Sequence, residues 1–213
     1  MESNRLEAFS DGVLAIIITV MVLELKGPGG PHLSDLWRNS GPSLLTYVLS
    51  FVYVGIYWNN HHHLFHIAKR VTGSVLWANL HLLFWLSLYP FTTSWMDDSH
   101  LARTPTVVYG VNLLAAAIAY YILQVTILRR PESGAILRAV LGSDLKGKAS
   151  PVLYLAGIGL AFVQPWLGLI PYAAVALMWL VPDRRVERYL QGAAASADQR
   201  RVGDSPAPPG RTP

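Results

Sequence analysis

The 213-residue chain contains no cysteine, which excludes disulfides, thiolate nucleophiles and cysteine-ligated metal centres. It is also short of charge: Asp, Glu, Lys and Arg make up 14% of it, against about 25% in soluble domains. None of these four residue types occurs in segments 39–68, 71–96, 104–128 or 149–182. Each segment exceeds the roughly 20 residues needed to cross a hydrocarbon core. A soluble catalytic domain has no place in that pattern. The chain also lacks a basic leader followed by a small-residue cleavage site. With Glu2, Glu7 and Asp11 near its start, the first apolar run reads as a membrane span and not as a secretory signal. No HExxH motif, acidic residue near a span centre or clear internal repeat is present.

What the chain does have is hydrophobic residues, 52% of the total, with its charges confined between the apolar segments. Segment 149–182 is 34 residues long. As one helix it would run about 50 Å, far beyond a core of about 30 Å. Gln164, Pro165 and Gly168 interrupt it near the middle, where proline removes a backbone donor, so two short helices are expected. The result is an all-α polytopic membrane protein with six spans, near 4–26, 41–68, 73–96, 104–130, 150–164 and 167–182.

The basic residues support that count. With a cytoplasmic amino terminus, six spans put fourteen of the 17 lysines and arginines inside and leave Lys26, Arg38 and Arg103 outside. Five spans would send Arg184, Arg185 and Arg188 outward. Both termini are therefore expected in the cytoplasm, and the pI near 9.4 reflects topology and not nucleic-acid binding. Residues 1–185 form the expected transmembrane domain. Loop 131–149 is polar and basic, and residues 186–213, rich in Ala, Pro, Gly and charge, are expected to be a disordered tail.

The first span, RLEAFSDGVLAIIITVMVLEL from Arg5 to Leu25, is the most informative stretch. Its foot carries Arg5, Ser10 and Asp11, and ionisable groups that face lipid cost roughly 2.5–3.5 kcal/mol or more, so the foot is expected against protein. Further along, Ile16, Thr19, Val20 and Leu23 recur at i, i+3, i+4 and i+7 and share one helix face. Such a face either lines a pore or packs on a neighbouring helix. In the second span, Asn59-Asn60-His61-His62-His63 continues to His66. His62 and His66 have the i, i+4 spacing of a zinc pair, but hydrogen bonding between helices is the favoured reading, with no metal or other cofactor expected. Thr106-Val107-Val108-Tyr109-Gly110 matches a potassium filter in letters only. A β-branched valine stands where the filter needs glycine, and the segment opens an ordinary span. Asp97, Asp98 and His100 read as a solvated loop.

Arg5-x-x-x-Phe9-Ser10-Asp11-Gly12-Val13, with Ala15-Ile16-x-x-Thr19, resembles the first-helix signature of the endolysosomal potassium channel family of transmembrane proteins, and more closely its six-helix prokaryotic members. The Trp58-x-Asn60-His61-His62 run resembles their second helix. The resemblance implies a homotetramer in a prokaryotic inner membrane, with four first helices around one central pore. Ile16 would form the narrowest hydrophobic ring, Val20 and Leu23 further rings, and Thr19 would add a hydroxyl. Arg5, Phe9, Ser10, Asp11, Asn60, His61 and His62 would form a structural network at the foot. The implied function is passive, potassium-preferring cation conduction with no enzymatic step. A small secondary transporter is the alternative from another class, and a histidine-based membrane metalloenzyme a third.

Overall fold

The computed structural model describes residues 3–68, 71–129 and 145–180, and among these every regular element is helical. Helix α1 spans Ser3–Leu23. A single turn, α2 (Leu33–Asp35), and a π-helical turn (Leu36–Ser40) lead into α3 (Gly41–Ile67). The others are α4 (Gly73–Ser87), α5 (Tyr89–Asp98), α6 (Arg103–Leu128), α7 (Leu145–Val163) and α8 (Pro165–Leu180). Pro42 sits in the first turn of α3, where its missing N–H removes no helical bond.

Each of the six expected spans finds a helix, with one span bent and several bounds shifted by up to five residues. The third expected span is bent: α4 ends at Ser87, Leu88 lies between the helices, and α5 starts at Tyr89. Pro90 has no N–H for the Leu86 carbonyl and its ring crowds that turn, which ends α4. The turn after α5 needs left-handed backbone at His100 and Leu101, with φ of 51° and 59°. The sixth helix begins directly after Gln164, where the sequence placed the break. Of the loop expected over 131–149, residues 145–149 instead belong to the start of α7. Residues 131–144, much of that loop, lie outside the described residues, as does the expected tail 186–213. Segments Ser3–Leu23, Leu33–His66 and Arg103–Leu128 are long and apolar enough to cross a membrane, and Pro165–Leu180 is a shorter apolar helix.

The core is aromatic. Tyr53, Tyr89, Tyr109 and Tyr172 are almost completely buried. Their rings meet at tilted or edge-on angles, as between Tyr109 and Tyr172 at 5.9 Å. Their hydroxyls are polar in an apolar setting, and several are paired: Tyr109 Oη lies 3.0 Å from Ser50 Oγ, itself 2.7 Å from Thr93 Oγ1. Tyr53 donates to the Tyr172 carbonyl at 2.5 Å. Helices α6, α7 and α8 approach so closely that a Cβ on Gly110 would overlap the Tyr172 hydroxyl, and one on Gly157 would overlap the same ring. Small residues at helix crossings permit this backbone approach. Thr106 to Gly110 is therefore the packed start of α6, with Thr106 bonded back to the Ala102 carbonyl at 2.9 Å.

Candidate functional site

Helix α1 has two faces. Leu6, Ser10, Leu14, Ile17 and Met21 are buried, following the three- and four-residue steps of one helix stripe. Among the described residues the opposite side is left open: Ile16 is 63% exposed and Leu23 81%, with Thr19 and Val20 also exposed. The four residues with the i, i+3, i+4, i+7 spacing thus lie together on one open face. Thr19 donates its hydroxyl proton to the Ile16 carbonyl at 2.9 Å, which leaves the exposed oxygen able to accept. An open cleft runs beside this face, with Val13, Ile16, Val20 and Glu24 on one wall and Phe91, Ser94 and Trp95 of α5 on the other.

The far end of α1 is closed by acid and base groups. Ser94 donates to Glu24 at 3.1 Å, Ser43 donates to Asp97 at 2.6 Å, and Lys26 pairs with Asp98 at 2.6 Å. The hydrogen bond to Asp98, reinforced by its charge, raises the Lys26 ammonium above its ordinary value of 10.5.

At the foot, the buried connection is a chain of three side chains. Ser10 donates to the Leu6 carbonyl at 2.9 Å and accepts from Asn79 Nδ2 at 2.9 Å. The other end of that carboxamide, Oδ1, lies 2.7 Å from His61 Nε2. An acceptor oxygen there requires the His61 proton on Nε2. One α4 side chain thereby ties α1 to α3 with both of its polar ends used. Two further contacts flank it nearer the surface: Trp58 donates to Asp11 at 3.1 Å, and His62 Nδ1 meets Glu7 Oε1 at 2.5 Å.

The foot residues expected from the sequence therefore divide. Ser10, Asp11, His61 and His62 all join α1 to its neighbours. Arg5 and Phe9 are exposed, and Arg5 makes no ion pair among the described residues. Asn60 turns away from α1: its amide bonds the Ile56 carbonyl at 2.8 Å, and its own carbonyl accepts from Tyr120 of α6 at 3.3 Å. Asn79 and Glu7 were absent from the expected set. Asn79 is a carboxamide inside the apolar run Leu76-Trp77-Ala78-Asn79-Leu80, and a polar group in a span demands a partner, so it carried a readable signal. The His62 and His66 rings lie 5.5 Å apart, and among the described residues no group of three metal-ligating side chains forms.

Comparison with known proteins connects this arrangement to one family. The family profile described as endosomal/lysosomal potassium channel TMEM175 matches residues 5–90, which hold the foot, the open α1 face and Asn79. A potassium channel of Chryseobacterium sp. (strain P1-3) is 51% identical over 191 residues, covering 90% of this chain and 99% of that protein. The crystal structure of a lysosomal potassium-selective channel TMEM175 homolog from Chamaesiphon minutus aligns with a TM-score of 0.67 at 30% identity. That alignment covers 84% of this chain and 96% of the other. The human endosomal/lysosomal proton channel TMEM175 is 34% identical over 117 residues, 49% of this chain and 23% of the human protein. With a relative this similar along nearly its whole length, and with the profile lying on the residues that build the foot and the open helix face, this multi-pass membrane protein belongs to the TMEM175 ion-channel family.

Proposed function

We propose that the protein is a potassium-preferring cation channel of the prokaryotic inner membrane, a homotetramer in which four copies of α1 surround one pore. The observation that carries this reading is the open face of α1. Helix α1 is packed on one side by Leu14, Ile17 and Met21, yet presents Ile16, Thr19, Val20 and Leu23 together on a side left open among the described residues. Closed rotational symmetry gives such a face identical partners around an axis. The names of the relatives, potassium channels in two bacteria, support the same function.

In this arrangement Ile16 forms the narrowest ring, with Val20 and Leu23 as further apolar rings and the outward Thr19 oxygen as a polar layer between them. An apolar ring passes ions when wide enough to stay wet and closes by dewetting when narrower. It offers no ligands in place of a hydration shell, so discrimination rests on the Thr19 layer and on ring width, and is modest. Glu24 at the outer end raises local cation concentration. The Ser10–Asn79–His61 chain, with Asp11–Trp58 and Glu7–His62, holds the foot of α1 against α3 and α4 so that the four copies stand at one radius. The segregated lysines and arginines support a cytoplasmic location for both termini.

The test is a planar-bilayer recording of purified protein under bi-ionic potassium and sodium, paired with a mass measurement in detergent. Passive current reversing on the potassium-preferring side from a particle of four chains is the expected result. Saturable flux coupled to another ion, or a conducting single chain, refutes the proposal.

A further inference from the structure

At the end of the bundle that holds the foot of α1, α6 stops at Leu128 and α7 begins at Leu145. From Arg129 to Lys148 the chain has five basic residues against two acidic ones, Glu132 and Asp144. Arg129 and Lys148 are exposed, and neither makes an ion pair among the described residues. Lys146 and Lys148 stand at the opening of α7, whose first turn holds no acidic residue. Helix N–H groups already carry partial positive charge there, so added bases are unfavourable unless an anion sits against them.

The faces that carry these bases continue as exposed apolar stripes. On α7, Lys148, Val152 and Leu155 follow at i, i+4 and i+7, and Val152 and Leu155 are 65% and 57% exposed. On α6, Ile118, Ile122 and Arg129 share a face in the same way, and both isoleucines are exposed. The two helices pack together closely enough that a Cβ on Gly110 would lie 2.9 Å from Ile158.

Water reaches this depth of the bundle. Tyr121 of α6 and Gly147 and Ser150 of α7 border one cavity with Tyr57 and Gln124. The Gln124 carboxamide and the Tyr57 hydroxyl belong to side chains only 6% and 7% exposed, and neither makes a hydrogen bond among the described residues. The cavity leaves about 60 Å³ open to the centres of water molecules, and at ~10–15 Å³ for each it holds about four that can pair with these groups. A hydrated layer level with the first turns of α7 is the layer in which phospholipid headgroups lie.

The geometry points to a binding surface for an anionic phospholipid on α6 and α7, its phosphate held by Arg129 and Lys148 and its acyl chains along Ile118, Ile122, Val152 and Leu155. Charge complementarity selects the headgroup. Basic clusters at the membrane-facing ends of spans attract anionic lipids, whereas a zwitterionic headgroup brings a cation of its own. A dissolved phosphate has no chains to lay on the apolar stripes. The surface involves no α1 residue, so it stands independently of the pore assignment.

The full-length protein in neutral detergent can be titrated with phosphatidylglycerol and, separately, with phosphatidylcholine and inorganic phosphate. Native mass spectrometry counts the lipids retained, and thermal unfolding reads the stabilisation. Saturable retention of phosphatidylglycerol, with a larger rise in unfolding temperature than phosphatidylcholine gives, is expected. Affinity should fall about fivefold in Arg129→Gln and again in Lys148→Gln, and should be kept in Lys148→Arg. Both positions are exposed, so the packing survives these changes. Arg103→Gln, at the opposite end of α6, should bind as wild type does. Equal retention of the two lipids, or wild-type affinity in the double variant Arg129→Gln/Lys148→Gln, overturns the proposal. An equal loss in Arg103→Gln overturns it as well, because any exposed base would then serve. Stabilisation by inorganic phosphate equal to that by the lipid also overturns it, since the ligand is then a dissolved anion.

Discussion

The adjacent isoleucines of α1 give the sharpest test of the proposed pore, because they have the same chemistry and opposite surroundings. Ile17 is 4% exposed and packs in the core, whereas Ile16 is 63% exposed. Truncating a buried isoleucine to alanine costs about 2–5 kcal/mol through lost transfer energy and the cavity left behind. Ile17→Ala should therefore lower the unfolding temperature and the yield of assembled protein, with unchanged current per channel. Within one protomer Ile16→Ala removes little packing, and surface changes of that kind fall within about 0.5 kcal/mol. Its effect should appear in conduction. Burying an isoleucine is worth about 1.5–3 kcal/mol, and a barrier lowered by ~1.4 kcal/mol speeds passage about tenfold. Shortening four such side chains in a dewetting ring needs to recover only a fraction of that to raise current visibly. Ile16→Asn, which also wets the ring, should raise it further and erode potassium preference. The assay is patch recording from liposomes holding matched amounts of each variant, with reversal potentials under bi-ionic potassium and sodium. Wild-type currents from both Ile16 variants, or a gain of current from Ile17→Ala, would refute the assignment.

Asn79→Leu keeps the volume but leaves the buried His61 Nε2–H without its acceptor, while Ser10 keeps its bond to the Leu6 carbonyl. At about 1–3 kcal/mol for a buried group left unpaired, it should destabilise the protein by about that much, measured by thermal unfolding in detergent, with ion preference unchanged in the channels that assemble. Gly110→Ala drives a methyl group into the Tyr172 hydroxyl and should cost about 1–3 kcal/mol by overpacking; Ala at Gly55, where a Cβ meets nothing within 4 Å, is the control expected to unfold as wild type does. The raised pKa of Lys26 makes its pairing with Asp98 fully present below 10.5 and lost as pH rises through the folded value. Any difference in unfolding temperature between wild type and Lys26→Met should stay constant from neutral pH to that point and shrink above it.

Much of the architecture was written in single residue types. Charge-free runs longer than a bilayer is thick read as membrane helices, because a lone ionised group in hydrocarbon is costly, and three of the helices are long and apolar enough to cross. The proline after Gln164 ended a helix where it stood, since a missing donor and a ring clash act within one turn. The α1 face of Ile16, Thr19, Val20 and Leu23 was equally legible, because helical spacing alone puts these residues together; whether a neighbour covers them was not. What required the tertiary structure was every choice that depends on a partner far along the chain. The histidine run offers chemically identical rings, yet only His61 is buried against Asn79, while His62 turns to Glu7 near the surface. Arg5 and Asp11 shared one motif, but only Asp11 found an α3 donor, in Trp58. Local structure follows from backbone sterics and the cost of desolvation, which each residue carries with it. Hydrogen-bond pairing and enclosure depend on how helices rotate about their own axes, and only the packing of all of them together decides that.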